Sequence, residues 1–137
     1  MTIILYLSLN LYKTKLLLII KRKTYMELTF GKHNDIYEIA IEGDLDASSC
    51  IALDKAISEA ASKGEKKILI DCTHLNYISS AGLGVFMSYL QEFENNKIKM
   101  VLYNLSEKVK NVFEILGLDT LVNIQSSKEE AIKTVDE

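Results

Sequence analysis

The chain has 137 residues, 48% hydrophobic and 26% charged, a balance that fills one core and leaves little for a second domain. It has no proline and only six glycines, which argues against a long flexible linker; its two cysteines, Cys50 and Cys72, are too few for a disulfide scaffold and lack the clustering with histidine that a zinc site needs. Charge is uneven: residues 1–25 hold Lys13, Lys15, Lys21, Arg22 and Lys23 and no acid, while the rest holds 11 basic and 19 acidic residues, a net of −8 that argues against nucleic acid and admits a basic protein partner.

Residues 1–25, MTIILYLSLNLYKTKLLLIIKRKTY, fit neither a spanning helix nor a signal peptide. A span from Ile3 to Ile20 would place Lys13 and Lys15 inside the bilayer, and the basic run Lys21–Lys23 comes last instead of first. They read as upstream sequence from a misplaced start, with a weak membrane or partner anchor as the alternative. Association with a membrane is expected only if they belong to the native protein. The domain is expected to span residues 26–137, in the cytoplasm, with both cysteines as small buried residues in a reducing compartment.

In the body, Leu28 and Phe30 alternate with polar residues, Asn34-Asp35 supplies a turn, and Tyr37, Ile39 and Ile41 alternate again, which predicts a hairpin ending at Gly43. Leu53, Ala56, Ile57, Ala60 and Ala61 recur at helical spacing, with Ser48 or Ser49 as cap and Gly64 past the end. The run from Lys67 to Cys72 predicts a buried strand, followed by a loop through Asn76. A helix begins near Ser80 and carries Leu83, Phe86, Met87, Leu90 and Phe93 on one face until Asn95-Asn96. Ile98 to Tyr103 predicts a strand. Ser106 caps a helix with Val109, Val112, Phe113 and Leu116 inward, stopped by Gly117. Leu121 to Ile124 predicts a short strand. Ser126 or Ser127, with Glu129 or Glu130, opens a last helix through Ala131, Ile132 and Val135. The order β-β-α-β-α-β-α-β-α implies an α/β domain with a mixed, mostly parallel sheet.

Little in the chain suggests catalysis. His33 falls in a predicted turn and His74 in a predicted loop, and neither accompanies a nucleophile motif; GxSxG and the P-loop pattern are absent. Gly82 and Gly84 lack the continuation of a dinucleotide fingerprint. Asp44 and Asp46 are two acids in one loop, as chance often gives. No cofactor, metal site or enzymatic activity is expected. Ser80, at a helix start, reads first as a cap. The same place also tolerates an anion, because free N–H groups and the helix dipole favour negative charge. A phosphate there would add about −1.5 to −2 charge. Ala81, Gly82 and Gly84 leave a smooth surface for a partner. Tyr77 and Ile78 are expected under the loop, Asp71 to bond nearby backbone, Phe86 and Met87 in the core, and Lys108 and Lys110 on a solvated face.

Glu42 to Ser49 (EGDLDASS), Lys66 to Phe86 (KKILIDCTHLNYISSAGLGVF) and Val109 to Ile124 (VKNVFEILGLDTLVNI) resemble the STAS domain family of bacterial anti-sigma factor antagonists. The resemblance covers about residues 26–135. It implies a binding module in transcription regulation that works by partner switching. In its unphosphorylated form such a module binds an anti-sigma factor that is also a serine kinase, and so frees the sigma factor. The kinase phosphorylates a serine at a helix N-terminus, and a PP2C-type phosphatase removes the phosphate. By position that serine matches Ser80, and Asp46 matches a family aspartate beside it. The docking face implied is Asp46, Ser79, Ser80, Ala81, Gly82 and Leu83. Many members read Asp-Ser-Ser-Gly where this chain reads Ser79-Ser80-Ala81-Gly82, which makes Ser79 the reserve acceptor. The alternatives are a constitutive STAS scaffold in a transporter or signalling assembly, and a small-ligand sensor.

Overall fold

The computed structural model describes residues 3–4, 8–15 and 26–137. The expectation for residues 1–25 therefore falls largely on residues outside that set; within it, residues 8–15 form an exposed helical stretch. The elements are β1 (Met26–His33), β2 (Ile36–Leu45), α1 (Cys50–Ser62), β3 (Lys67–Ile78), α2 (Ser80–Ser88), α3 (Leu90–Asn95), β4 (Lys99–Tyr103), α4 (Glu107–Ile115), a 3-10 turn (Leu118–Thr120), β5 (Asn123–Gln125) and α5 (Lys128–Asp136).

Among the described residues the strands form one five-stranded sheet in chain order, β1-β2-β3-β4-β5. β1 is antiparallel to β2 through the Asn34-Asp35 turn, where Asn34 takes φ 56°, a left-handed conformation that asparagine tolerates. The other pairs are parallel, and each parallel connection carries helix, as crossovers require. The sheet face built from Ile39, Ile41, Ile68, Ile70, Cys72 and Leu102 packs under Leu53 and Ile57 of α1, Leu83 and Phe86 of α2, and Val109 and Phe113 of α4. The rings of Phe86 and Phe113 lie 6.5 Å apart and tie α2 to α4. On the other face Ile36, Leu69, Val101 and Tyr103 meet Ala131 and Val135 of α5. That helix is clasped by Lys67, which reaches both Asp35 and Asp136 at 2.8 Å, and by Lys128 with Glu38 at 3.0 Å. The Tyr103 hydroxyl donates to Glu38 beneath it, and burial there pushes the phenol well above its usual range.

The structure differs from the sequence reading in several places. β2 runs past Gly43 to Leu45, because Gly43 (φ 107°) takes up a bulge instead of ending the strand. β3 runs to Ile78, so Thr73–Asn76 is strand and His74 lies within it, paired with Glu42. The long helix divides at Tyr89 into α2 and α3. β5 is Asn123–Gln125, shifted from the expected Leu121–Ile124. Tyr77 is 47% exposed and Leu116 58% exposed, whereas both were expected inward. Cys50 is only partly buried. Ser106 and Ser127 cap α4 and α5 by accepting from the N–H groups of Val109 and Glu130, Gly64 follows α1 at φ 88°, and Asp71 accepts from the Thr73 N–H.

One feature of the register positions the candidate site. The β3–β4 ladder stops at Asp71 and Tyr103, while the β2–β3 ladder continues to Leu45 and Ile78. These two strand ends project beyond the sheet together. The turn into α1 and the start of α2 therefore sit side by side, at the carboxyl ends of adjacent parallel strands, where α/β domains place their ligands.

Candidate functional site

The two strand ends are joined by backbone: the Ser79 N–H donates to the Leu45 carbonyl at 2.9 Å. Asp46 follows Leu45 directly, so Asp46 and Ser79 leave the sheet as neighbours. Ser79 has extended backbone (φ −87°, ψ 170°) and is the N-cap of α2; its Oγ accepts from the Gly82 N–H at 3.2 Å. Its carbonyl takes the Leu83 N–H at 3.0 Å, closing the first turn. The reading of Ser80 as cap is thus corrected by one position. Ser80 is the first helical residue and exposed, and its hydroxyl makes no hydrogen bond among the described residues. The helix geometry leaves the N–H groups of Ser80 and Ala81 without intrahelical acceptors. No acid stands in the first turn of α2 to oppose an anion there.

Gly82 is buried, and a Cβ on it would lie 2.9 Å from Cγ and Cδ2 of Leu45 and 3.0 Å from Cγ1 of Ile78. The glycine lets α2 press directly onto the two strand ends. Leu83 is buried beneath the helix, whereas Ala81 and Gly84 face outward, and nothing lies within 4 Å of a Cβ built on Gly84. Of the expected docking residues, Ser80 and Ala81 are exposed, Asp46 and Ser79 partly exposed, and Gly82 and Leu83 shape the surface from below.

Asp46 organises the turn into α1. One carboxylate oxygen accepts from the N–H and hydroxyl of Ser48 (3.0 and 2.8 Å) and from the N–H and hydroxyl of Ser49 (2.9 and 3.0 Å). Its carbonyl accepts the Cys50 N–H at 3.0 Å. These bonds favour the ionised form, led by the Ser49 N–H, and hold the carboxyl down at about 2. Ser49 occupies the N-cap position of α1 but does not cap it; its single hydroxyl proton is shared between the Asp46 carboxylate and the Asp44 carbonyl, 2.8 Å from its Oγ. The capping role expected of Ser48 or Ser49 therefore passes to Asp46, through an Asx-type turn. The charge of Asp46 stays ionised beside the start of α2.

Sequence reasoning missed two exposed apolar side chains that flank this surface: Tyr77, paired with Asp44 at the end of β3, and Ile51, 71% exposed in the first turn of α1. The signal for Ile51 was its place off the buried stripe Leu53, Ala56, Ile57, Ala60. That for Tyr77 was hidden by the bulged register. Among the described residues no group of histidine, cysteine and acid side chains is arranged to hold a metal ion.

Residues 27–131 match the STAS domain family. The chain belongs to this family. An anti-sigma-B factor antagonist of Staphylococcus epidermidis is 26% identical over 97 residues, which cover 71% of this chain and 90% of that protein. The unphosphorylated form of the anti-sigma factor antagonist SpoIIAA superposes with a TM-score of 0.67 at 25% identity, over 80% of this chain and 96% of that one. The STAS fold also matches part of the murine anion transporter Slc26a9, with a TM-score of 0.71 at 10% identity, over 89% of this chain and 24% of the transporter.

Proposed function

We propose that this STAS domain is an anti-sigma factor antagonist whose binding is switched by phosphorylation of Ser80. Unphosphorylated, it binds an anti-sigma factor that is also a serine kinase, and the sigma factor is released. The phosphate on Ser80 ends that binding, and a PP2C-type phosphatase restores it. The domain acts as substrate and binding module, without catalysis of its own.

The observation that carries this reading is the division of labour between two adjacent serines. Ser79 spends its oxygen on the helix cap, and Ser80 presents a free, exposed hydroxyl one residue later, at the positive end of α2. A kinase can reach Ser80 without undoing the fold, and the helix end tolerates the resulting dianion. Modifying Ser79 would instead cost the cap. Kinship with antagonists supports the partner class, and SpoIIAA is itself known in unphosphorylated and phosphorylated forms.

The switch is electrostatic. Docking buries the exposed start of α2 together with Asp46, which is already ionised. A phosphate buried there unpaired costs several kcal/mol. About 4 kcal/mol weakens binding roughly a thousandfold. In pull-downs from the native cell, wild type and Ser80→Ala should retain a serine kinase of the anti-sigma class, and Ser80→Asp should lose it. Equal retention by all three would defeat the switch. Constitutive scaffolding is the second reading, favoured by Ser79 standing where many antagonists carry an acid; it requires that equal retention.

A further inference from the structure

We infer that β1 is a self-pairing edge through which two copies of the chain join their sheets, a surface independent of the switch at Ser80. β1 is the outermost strand of the sheet, with β2 on its inner side, and its outward backbone groups meet no other strand among the described residues. The two edges of the sheet differ. β5 is three residues long, a poor template for a neighbour, whereas β1 runs eight residues in unbroken register with β2. β1 has no proline, no bulge and one lysine, so it lacks most of the devices that keep an edge from pairing. On one face of the strand Leu28 packs against the core, and Phe30, opposite Ile39, stays 55% exposed. The Phe30 ring stacks on Tyr37 of β2 with centroids 6.3 Å apart, so an aromatic row runs to the edge and stops there.

Charge and parity identify the occupant. Residues 26–137 carry a net −8, yet β1 holds one acid, Glu27, and one base, Lys32, followed by His33. Two acidic bodies therefore repel least along this strand. A two-fold axis normal to the sheet makes the two β1 strands antiparallel and keeps each side chain on its own face. Centred on Phe30, it sets Phe30 against the copy's Phe30 and continues the aromatic row into the copy's Tyr37. Thr29 falls opposite the copy's Gly31, where even an added Cβ would meet nothing within 4 Å. Leu28 falls opposite the copy's Lys32, whose stem can cover it while Nζ keeps Glu65 at 2.8 Å. On the other face Glu27 falls opposite the copy's His33, an acceptor facing a donor. The strand is thus complementary to itself along its length, which is the match a second copy supplies. The interface uses none of Asp46, Ser79 and Ser80, so each copy keeps its own switch.

The test is sedimentation velocity of the full chain across the micromolar range, with hydrogen exchange of the β1 amides followed over the same range. The chain should dimerise as concentration rises, and the outward β1 amides should gain protection with it. Phe30→Lys brings two ammonium groups together at the axis and should weaken the dimer at least about tenfold, with the thermal transition of the domain in place. His33→Glu sets acid against acid at both ends of the paired strands and should weaken it about tenfold, and adding Glu27→Lys should restore it. A monomer throughout the range overturns the proposal. So does a dimer that Phe30→Lys leaves intact, or a double variant that stays as weak as His33→Glu. Outward β1 amides already protected in the monomer would mean that another part of the chain covers the edge, which overturns it too.

Discussion

Gly82 and Gly84 lie two residues apart on α2, and alanine should act on them with opposite sign. At Gly82 the new Cβ would stand 2.9 Å from Cγ and Cδ2 of Leu45 and 3.0 Å from Cγ1 of Ile78. Ordinary carbon contacts are about 3.5–4.0 Å, so three atoms overlap by about 0.5–1 Å. Neither wall can yield cheaply, because Leu45 is 0% exposed and Ile78 4% exposed, and both end paired strands. Overpacking of this kind costs about 1–3 kcal/mol, with the upper part of that range expected against two rigid walls. The helix preference for alanine over glycine returns about 1 kcal/mol. The net for Gly82→Ala is a loss of about 1–2 kcal/mol, or about 4–10 °C in Tm for a domain of this size. At Gly84 nothing lies within 4 Å, so only the helix preference remains, and Gly84→Ala should stabilise by about 0.5–1 kcal/mol. Thermal and urea unfolding of both variants would measure this. If both shift stability in the same direction, the claim that Gly82 exists to seat α2 on the strand ends is wrong. If Gly84→Ala stabilises the domain and also weakens capture of the kinase, Gly84 lies on the docking face.

The two serines should also separate in unfolding experiments: Ser79→Ala loses the cap and about 1 kcal/mol, whereas Ser80→Ala, which removes a hydroxyl without a partner, should change stability by less than about 0.5 kcal/mol. Asp46 has a folded-state value of about 2, below its ordinary 3.8, so its stabilisation is complete above that ordinary value and is lost as pH falls toward 2; Asp46→Asn should flatten the acid limb of a stability–pH curve over that window, and an unchanged limb would contradict the turn network. Cys72 is buried and its thiol is pushed up by desolvation, so alkylation of the native protein should modify Cys50 alone, with Cys72 reacting only on unfolding. Lys67→Met removes the ion pair to Asp136 that ties the end of α5 to the sheet, together with the pair to Asp35, while Lys128–Glu38 remains; hydrogen exchange should quicken toward the Asp136 end of α5 while the amides of α2 keep their protection.

Most of the fold was legible because its signals are local. The period-two strands, the helical stripes of α1 and α4, and the caps at Ser106 and Ser127 each follow from neighbours in sequence. What escaped depends on partners far along the chain. The end of β3 is strand because it pairs with an extended, bulged β2, and the polar run Thr73-His74-Leu75-Asn76 gives no hint of that ladder. Leu116 read as inward from its helical spacing, yet it is 58% exposed at the end of α4. At the site, the sequence showed a serine pair at a helix start but not which hydroxyl caps. That choice depends on the register of Leu45 and Ile78, which places Ser79 and not Ser80 at the boundary. The two bonds from Ser48 and the two from Ser49 that converge on Asp46 were likewise invisible until the turn was closed.

The central claim is that Ser80 carries the switch. A phosphopeptide map of the protein isolated from its native cell tests it most directly, and the account predicts a phosphate on Ser80 that comes and goes with growth condition while Ser79 stays bare. An unphosphorylated chain under every condition, or a phosphate confined to Ser79, would contradict it.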